Sequence, residues 1–326
     1  NSYYGRLASR RLPEAQTQAA DGDGAVRVPG PAPAATAIGG QVPPVAAPPP
    51  NADLIRRLLA TGLYDDALNE LKYAQQVWGT SPAIEATTAW VYHEKGDLRR
   101  AITVMRRAYP QFLAAGGEVL PAEILQVIFP LTFWDAIKRN ARAHDLDPYI
   151  VAALIAQEST FDPEAHSGAN AWGLMQIVPS TGRRLASALG IRRFSTSMLT
   201  HADTNIRLGT LYFSRLVQQF GGTYYALASY NAGENRVVRW KAERPGMEED
   251  EFIDDIPFPE TQNYVKRILG TAEDYRRLYA GGEGQPRAPV KTSTAAAKKK
   301  KKSTASAKYK KTSVRKKAPV KKRRRR

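Results

Sequence analysis

The chain of 326 residues is long enough for two domains of ordinary size together with extended tails. Its net charge of +17 is a local property, because the last 41 residues hold 19 of the 48 Lys and Arg residues and no acidic residue, which leaves 29 basic against 31 acidic residues elsewhere. The absence of cysteine excludes disulfide bonds, thiolate zinc sites and a cysteine nucleophile, and no apolar run is long enough to span a membrane.

Residues 1–51 are rich in Pro, Ala and Gly, as in the string VPGPAPAATAIGGQVPPVAAPPP. Such a segment buries too little apolar surface to offset the entropy cost of ordering it. We therefore predict a disordered linker with polyproline character. The chain begins at Asn1 instead of Met, so we expect that a signal peptide was removed or that the sequence was trimmed.

Residues 52–130 show the apolar periodicity of helices, and part of this region repeats. Five residues recur as similar residues 34 positions later, namely Gly62, Ala67, Leu68, Leu71 and Ala74 as Gly96, Ala101, Ile102, Met105 and Ala108. This period is that of the tetratricopeptide (TPR) helix–turn–helix repeat, in which small residues let paired helices approach closely. We predict a TPR-like helical repeat domain that packs on the next domain, and an ordinary array of helical hairpins is the alternative.

Residues 131–281 continue the helical pattern, and strand signals are weak throughout. Candidate helix boundaries are, in chain order, Asp147-Pro148, Gly190, Asp203, Gly221, Thr223 and Pro259. We predict a mostly helical domain here, so that the fold class of the whole chain is mainly α. Residues 282–326 are predicted to form a disordered tail rich in Lys and Arg.

Glu158 continues the apolar stripe of the helix that starts at Asp147, because it lies three, four and seven residues after Ile155, Leu154 and Val151. Desolvation and the negative end of the helix dipole should both raise the pKa of this carboxyl group. A carboxyl group that stays protonated near neutral pH can act as a general acid. The alternative is a glutamate that bends out to solvent at the end of the helix.

Four motifs occur in order around and after this glutamate: AQESTFDPEA, AWGLMQIVPST, ASYNAGENRVV and IPFPETQNYVKRIL. In their order and spacing they resemble the motifs of the soluble lytic transglycosylase family, from about Phe129 to Tyr279. The resemblance implies a goose-lysozyme-like catalytic domain, and the preceding helices look like part of the helical superhelix of that family.

The resemblance also implies the functional residues. Glu158 becomes the single catalytic acid and base, and the hydroxyl group of Ser167 helps to orient its carboxylate. The substrate-binding positions match, in chain order, Ser167, Met175, Gln176, Tyr230, Asn231, Glu260 and Tyr264. The family commonly has Gly where this chain has Asn170 and Asn235, and we expect left-handed turns there because Asn tolerates that conformation best among the other residues.

Each of these side chains has an implied contact. The amide of Gln176 reaches the substrate, and the thioether of Met175 packs on a sugar ring. Tyr230 hydrogen-bonds near the reacting centre, while Glu260 and Tyr264 contact neighbouring sugars. Without the resemblance, Met175 and Tyr264 would be read as residues of the hydrophobic core.

The implied reaction is the non-hydrolytic cleavage of peptidoglycan between N-acetylmuramic acid (MurNAc) and N-acetylglucosamine (GlcNAc). Hydrolytic glycosidases usually need two carboxylates, and the best second candidate, Glu260, is implied to be a substrate contact instead. One carboxylate suffices when the C6 hydroxyl group of MurNAc closes a 1,6-anhydro ring, because an intramolecular nucleophile replaces water. No cofactor and no metal are implied, and the four His residues lack the spacing of metal ligands.

Two other function classes remain open: a lysozyme-like muramidase that hydrolyses the same bond, and a non-catalytic scaffold that binds peptidoglycan or polyanions. The expected partners are peptidoglycan glycan strands and, for the basic tail, an anionic polymer or surface such as lipopolysaccharide, anionic lipid or nucleic acid. The single Tyr309 in the tail argues against base-specific reading. The implied location is the periplasm or cell envelope.

Overall fold

The computed structural model of the chain describes residues 48–113 and 120–281. The predicted basic tail, and the predicted linker up to residue 47, lie outside the described residues. Thirteen α-helices occur in the described residues: α1 (Ala52–Ala60), α2 (Tyr64–Trp78), α3 (Pro82–Glu94), α4 (Leu98–Ala108), α5 (Ala122–Ile128), α6 (Trp134–Arg142), α7 (Pro148–Ser159), α8 (Pro179–Ala188), α9 (Ala202–Phe220), α10 (Thr223–Ala232), α11 (Glu234–Glu243), α12 (Glu249–Asp254) and α13 (Pro259–Tyr279). Short 3₁₀ turns span Pro110–Leu113 and Thr196–Thr200.

The mainly α fold class is confirmed. Within the described ranges there is no β-strand, and the β-type pairing consists of two isolated bridges that join Trp172 to His166 and to Ile177. None of the described helices combines the length and the apolar character that a membrane span requires.

The first four helices form two helix–turn–helix units, and the positions that repeat in the sequence are equivalent in them. Gly62 and Gly96 both adopt positive φ angles, 72° and 79°, at the turn after the first helix of each unit. Ala67 and Ala101 are both fully buried, one turn into the second helix. This equivalence accounts for the sequence period of 34, while the assignment to the tetratricopeptide class stays a prediction.

Two hydrophobic clusters hold the helices together. The smaller one joins α1, α2 and α3 around Ile55, Leu71 and Val91. The larger one runs from Ala89 in α3 to Tyr279 in α13 and therefore continues across the proposed domain boundary at residue 130. The boundary itself stays a prediction.

Two buried tyrosines of α13 reinforce that continuity. The hydroxyl group of Tyr275 donates to the carbonyl oxygen of Pro130 at 2.9 Å, and that of Tyr279 donates to the carbonyl oxygen of Phe129 at 2.8 Å. Because buried phenols need hydrogen-bond partners, these contacts fix the segment between α5 and α6 against the end of α13.

Most predicted helix boundaries agree with the structure. Asp147 caps the start of α7, where its side chain accepts a hydrogen bond from the Tyr149 amide at 2.8 Å. Pro259 is the first residue of α13, and Gly221 ends α9 in the left-handed conformation. The N-cap predictions for Asp203 and Thr223 are wrong, because His201 and Gly222 occupy those cap positions.

The helices α7 and α13 are antiparallel neighbours that contact at both ends. Arg276, near the end of α13, forms an ion pair with Asp147 at the start of α7. Tyr264, near the start of α13, donates a hydrogen bond to Glu158 near the end of α7. The two contacts set the register of one helix against the other.

Helix α9 approaches the loop between α7 and α8 closely at a glycine. A Cβ atom at Gly209 would lie within 2.9 Å of three side-chain atoms of the fully buried Met175. The absence of a side chain at residue 209 therefore lets Met175 fill the space beside α9.

We predict that Gly209→Ala lowers the free energy of unfolding by about 1–3 kcal/mol, because the added methyl group overpacks this contact. Gly270→Ala is the matched control, since a Cβ atom there meets nothing within 4 Å in the middle of α13. That control should stabilise the protein by about 0.5–1 kcal/mol through helix propensity. Urea unfolding measures the free energy of unfolding of both variants. If Gly209→Ala stabilised the protein as much as Gly270→Ala, the close packing of Met175 against Gly209 would be contradicted.

Candidate active site

Glu158 is the penultimate residue of α7 and is only partly exposed. Burial raises the pKa of its carboxyl group to about 7, and the hydrogen bond that the Tyr264 hydroxyl group donates acts in the opposite direction. No other carboxylate of the described residues contributes to this shift. The group therefore titrates near neutral pH, as a general acid that must also act as a base requires.

The chain turns sharply after Glu158. Thr160 and Phe161 have positive φ angles of 58° and 59°, a conformation that L-residues with side chains rarely adopt. The buried hydroxyl group of Ser159 donates to the carbonyl oxygen of Leu174 at 2.9 Å. Strained backbone that the surrounding structure holds in place is common at functional sites. Here the turn and the Ser159 hydrogen bond together hold the loop of residues 173–176 beside Glu158.

The side chain of Asn205, in α9, hydrogen-bonds to this loop and to neighbouring backbone. Its Oδ1 atom accepts from the Met175 amide at 2.8 Å, and its Nδ2 atom donates to the carbonyl oxygens of Trp172 and Leu199 at 2.9 and 2.7 Å. Any side chain at Gly173 would collide with Leu199 and Asn205. Asn205 was not among the predicted functional residues, because its only signal in the sequence is a polar residue that precedes the apolar Ile206 of a helix.

Tyr230 lies near the end of α10 beside the same loop. Its hydroxyl group donates to the carbonyl oxygen of Met175 at 2.7 Å, and its ring packs on Tyr212 with 5.3 Å between the ring centroids. Burial raises the pKa of the Tyr230 hydroxyl group well above 10, and the negative charge of Glu158 adds to the shift. The structure therefore brings Tyr230 and Glu158 together.

Tyr264 is buried, and its hydroxyl group faces the Glu158 carboxylate directly. Burial again raises the pKa of this hydroxyl group, followed by the charge of Glu158 and the hydrogen bond between the two. Glu260 lies one turn earlier in α13 and is exposed. The hydroxyl group of Thr261 donates to Oδ1 of Asn231 at 2.7 Å, which joins the start of α13 to the end of α10.

Three of the predicted substrate-contact residues make contacts within the protein instead of simply lining a groove. Met175 is fully buried, so it supports the loop from inside, and a contact with sugar stays a prediction. The hydroxyl group of Ser167 accepts from the Ala171 amide at 3.2 Å, and its role in orienting the Glu158 carboxylate also stays a prediction. Gln176 has a positive φ angle of 47°, and its amide nitrogen donates to the carbonyl oxygens of Ala165 and Gly173 at 3.2 and 3.0 Å.

The two Asn residues that replace family glycines behave differently. Asn170 has a φ angle of 59°, which confirms the predicted left-handed turn, and its side chain accepts from the Trp172 indole at 2.8 Å. The prediction for Asn235 is wrong, because this residue lies within α11 in ordinary helical conformation.

No three His, Asp or Glu side chains of the described residues are grouped so as to hold a metal ion.

A partly buried carboxyl group whose pKa is raised to about 7 matches the general acid of enzymes that cut glycosidic bonds. Comparison with known proteins agrees with this class. The model of the Transglycosylase SLT domain matches residues 135–253. The endo-type membrane-bound lytic murein transglycosylase A of Enterobacter sp. is 32% identical over 158 residues, which cover 41% of this chain and 78% of that protein.

The soluble lytic murein transglycosylase of Salmonella typhimurium is 36% identical over 157 residues, which are 47% of this chain and 24% of the relative. The chain therefore spans about a quarter of the length of that relative. An X-ray structure of an inactive Glu-to-Gln mutant of the lytic transglycosylase Slt from Pseudomonas aeruginosa has a TM-score of 0.54 and 29% identity, and covers 72% of this chain and 36% of that one. The chain belongs to the lytic murein transglycosylase family.

We predict that burial of Glu158 makes stability depend on pH. Its folded pKa of about 7 lies above 4.5, the ordinary value of a glutamate side chain, so the folded state binds the proton more tightly. Stability from this group is fully present below the unfolded pKa and is lost as the pH rises through the folded pKa.

The Glu158→Gln variant has no such titration. Its free energy of unfolding, relative to the wild type, should be close to zero at about pH 4 and rise by about 2–3 kcal/mol by about pH 8. Denaturant unfolding across this range tests the prediction, and a difference that does not change with pH would contradict the raised pKa.

Proposed function

We propose that this chain is a lytic transglycosylase that cleaves the MurNAc-β-1,4-GlcNAc bond of peptidoglycan without water and leaves 1,6-anhydro-MurNAc ends. The observation that carries the proposal is the solitary Glu158 carboxyl group, whose pKa of about 7 is raised by burial and not by a second carboxylate. The membership of the lytic murein transglycosylase family supports the same reaction.

In the first step the Glu158 carboxyl group donates its proton to the glycosidic oxygen, and the bond from that oxygen to C1 of MurNAc breaks. Positive charge then develops at C1, and the N-acetyl group of the substrate stabilises it. The GlcNAc unit leaves with the proton. A carboxyl group with a pKa near neutrality is protonated often enough to perform this step.

In the second step the newly formed carboxylate of Glu158 accepts the proton of the MurNAc C6 hydroxyl group while that oxygen bonds to C1. The proton is thereby returned to Glu158, and the enzyme is ready for another cycle. The Tyr264 hydroxyl group stabilises the carboxylate between the two steps through its hydrogen bond. Ring closure is intramolecular, so no second carboxylate is needed to activate water.

The remaining side chains fit substrate binding around this centre. Gln176, Tyr230 and Asn231 belong to the loop and the helix end that border Glu158, and Glu260 is exposed one turn from Tyr264. We assign them to sugar contacts, with Ser167 and Met175 on the same loop as the two less direct members. The inactive Glu-to-Gln mutant named in the Pseudomonas aeruginosa structure supports an essential glutamate in that relative.

We further propose that the chain acts in the periplasm or cell envelope, where peptidoglycan lies. The division into a repeat domain at 52–130 and a catalytic domain at 131–281 is part of the proposal, with the shared core across residue 130 as a rigid junction. The basic tail is predicted to bind an anionic polymer or surface, and its residues lie outside the described part of the chain.

We predict that Glu158→Gln lowers turnover by about 10³–10⁴-fold or more, because general acid–base catalysis contributes about 10²–10⁴-fold and one residue supplies both halves here. Glu260→Gln should cost less, since it removes an exposed contact and leaves the proton transfer intact. Release of soluble muropeptides from purified sacculi measures turnover, and mass analysis of the products identifies anhydro ends. Equal losses in the two variants, or Glu158→Gln activity within tenfold of wild type, would contradict the assignment.

A further inference from the structure

Asn205 is a buried polar residue to which the proposed mechanism gives no task. It lies in the first turn of α9 and is fully buried. Its Nδ2 atom donates to the carbonyl oxygens of Trp172 and Leu199, and its Oδ1 atom accepts from the Met175 amide at 2.8 Å. An asparagine side chain has both donors and an acceptor, so one planar group can satisfy three backbone groups at once. The orientation of the Asn205 amide is therefore fixed on both of its sides.

The backbone of Met175 is held at both of its polar groups. Its amide donates to Asn205, and its carbonyl oxygen accepts from the Tyr230 hydroxyl group at 2.7 Å. The buried side chain of Met175 packs on Gly209, which lies one helical turn beyond Asn205 on the same face of α9. Helix α9 therefore sets the position of the carbonyl oxygen to which Tyr230 is bonded.

Tyr230 is held by α9 in a second way. Its ring packs on the rings of Tyr212 and Phe213, with centroid distances of 5.3 and 6.2 Å. These contacts orient the ring, while the hydrogen bond to Met175 fixes the hydroxyl group. A phenol has one proton, and here that proton is donated to the Met175 carbonyl oxygen, so the hydroxyl group can act only as an acceptor towards Glu158 or a substrate hydroxyl group.

We propose that Asn205 is a positioning residue for the cleavage reaction, which acts through the Met175 backbone to hold the Tyr230 hydroxyl group beside Glu158. The inference rests on the proposed function, because the reaction that Asn205 serves is the one proposed above. A misplacement of about 1 Å, caused by a change far from the chemistry, can lower a rate by about 10²-fold. Hydrogen bonds one residue removed from Tyr230 can therefore control turnover.

A double-mutant cycle with Tyr230→Phe tests this role, because it removes the hydroxyl group that Asn205 is proposed to hold and keeps the ring. In the wild-type background Asn205→Ala should lower kcat by about 10–100-fold. In the Tyr230→Phe background the same change should lower kcat by less than about threefold, since residues that act as one unit are not additive. Turnover is measured on soluble glycan strands, at a temperature where urea unfolding shows that every variant is folded.

The matched control is Ser214→Ala. Ser214 is another buried polar residue of α9, and its hydroxyl group donates within the same helix to the carbonyl oxygen of Leu211 at 2.9 Å. Its loss should lower the free energy of unfolding by about 1 kcal/mol. It should change kcat by less than about twofold in both backgrounds, as expected for a purely structural role.

Asn205→Asp provides the conservative variant and covers the case in which Asn205→Ala does not fold. It keeps the size of the side chain and the oxygen that accepts from the Met175 amide, and it changes the group that donates to Trp172 and Leu199. It should therefore lower kcat by only about 3–10-fold, and by less than about twofold in the Tyr230→Phe background.

Equal losses of kcat in the two backgrounds would overturn the proposal, because Asn205 would then support the fold without acting through Tyr230. A Tyr230→Phe variant that turns over as fast as the wild type would overturn it as well. Hydrolytic products from the wild type would refute the proposed function instead, and the coupling between Asn205 and Tyr230 would still be measured in the same cycle.

Discussion

In the proposed mechanism, the chemistry of the site depends on the hydrogen bond that the Tyr264 hydroxyl group donates to the Glu158 carboxylate. Burial alone favours the neutral acid and raises its pKa, which makes the proton harder to donate. The phenol stabilises the anion and so moderates the effect of burial, and the balance lies at a pKa of about 7. One residue can then serve both halves of a reaction near neutral pH.

The geometry of this hydrogen bond depends on the register between α7 and α13, the helices that carry Glu158 and Tyr264. The ion pair between Arg276 and Asp147 holds their opposite ends, and it is half exposed, so it contributes little energy by itself. The buried phenols of Tyr275 and Tyr279 add firm anchors to the backbone at residues 129 and 130. The helices α3, α4 and α5 therefore share a core with α13, and they help to keep Tyr264 opposite Glu158.

Local signals allowed much of this to be predicted from the sequence. The cap at Asp147, the start at Pro259 and the position of Glu158 near the end of α7 follow from residue preferences within a few positions. The close approach of Gly209 to Met175 and the bridging role of Asn205 could not be predicted, because they depend on contacts between residues about 30 positions apart. Asn235 shows the same limit, since a residue that tolerates a left-handed turn also fits a helix when its neighbours continue one.

In the proposed mechanism Glu158 needs no partner carboxylate, because the nucleophile is the C6 hydroxyl group of the substrate. Digestion of purified peptidoglycan in water enriched in ¹⁸O, followed by mass analysis of the products, tests this most directly. The main product should carry no label at C1 of muramic acid, since ring closure takes no oxygen from solvent. Label at that carbon would mean that water is the nucleophile, and the protein would then be a hydrolase that uses a second carboxylate.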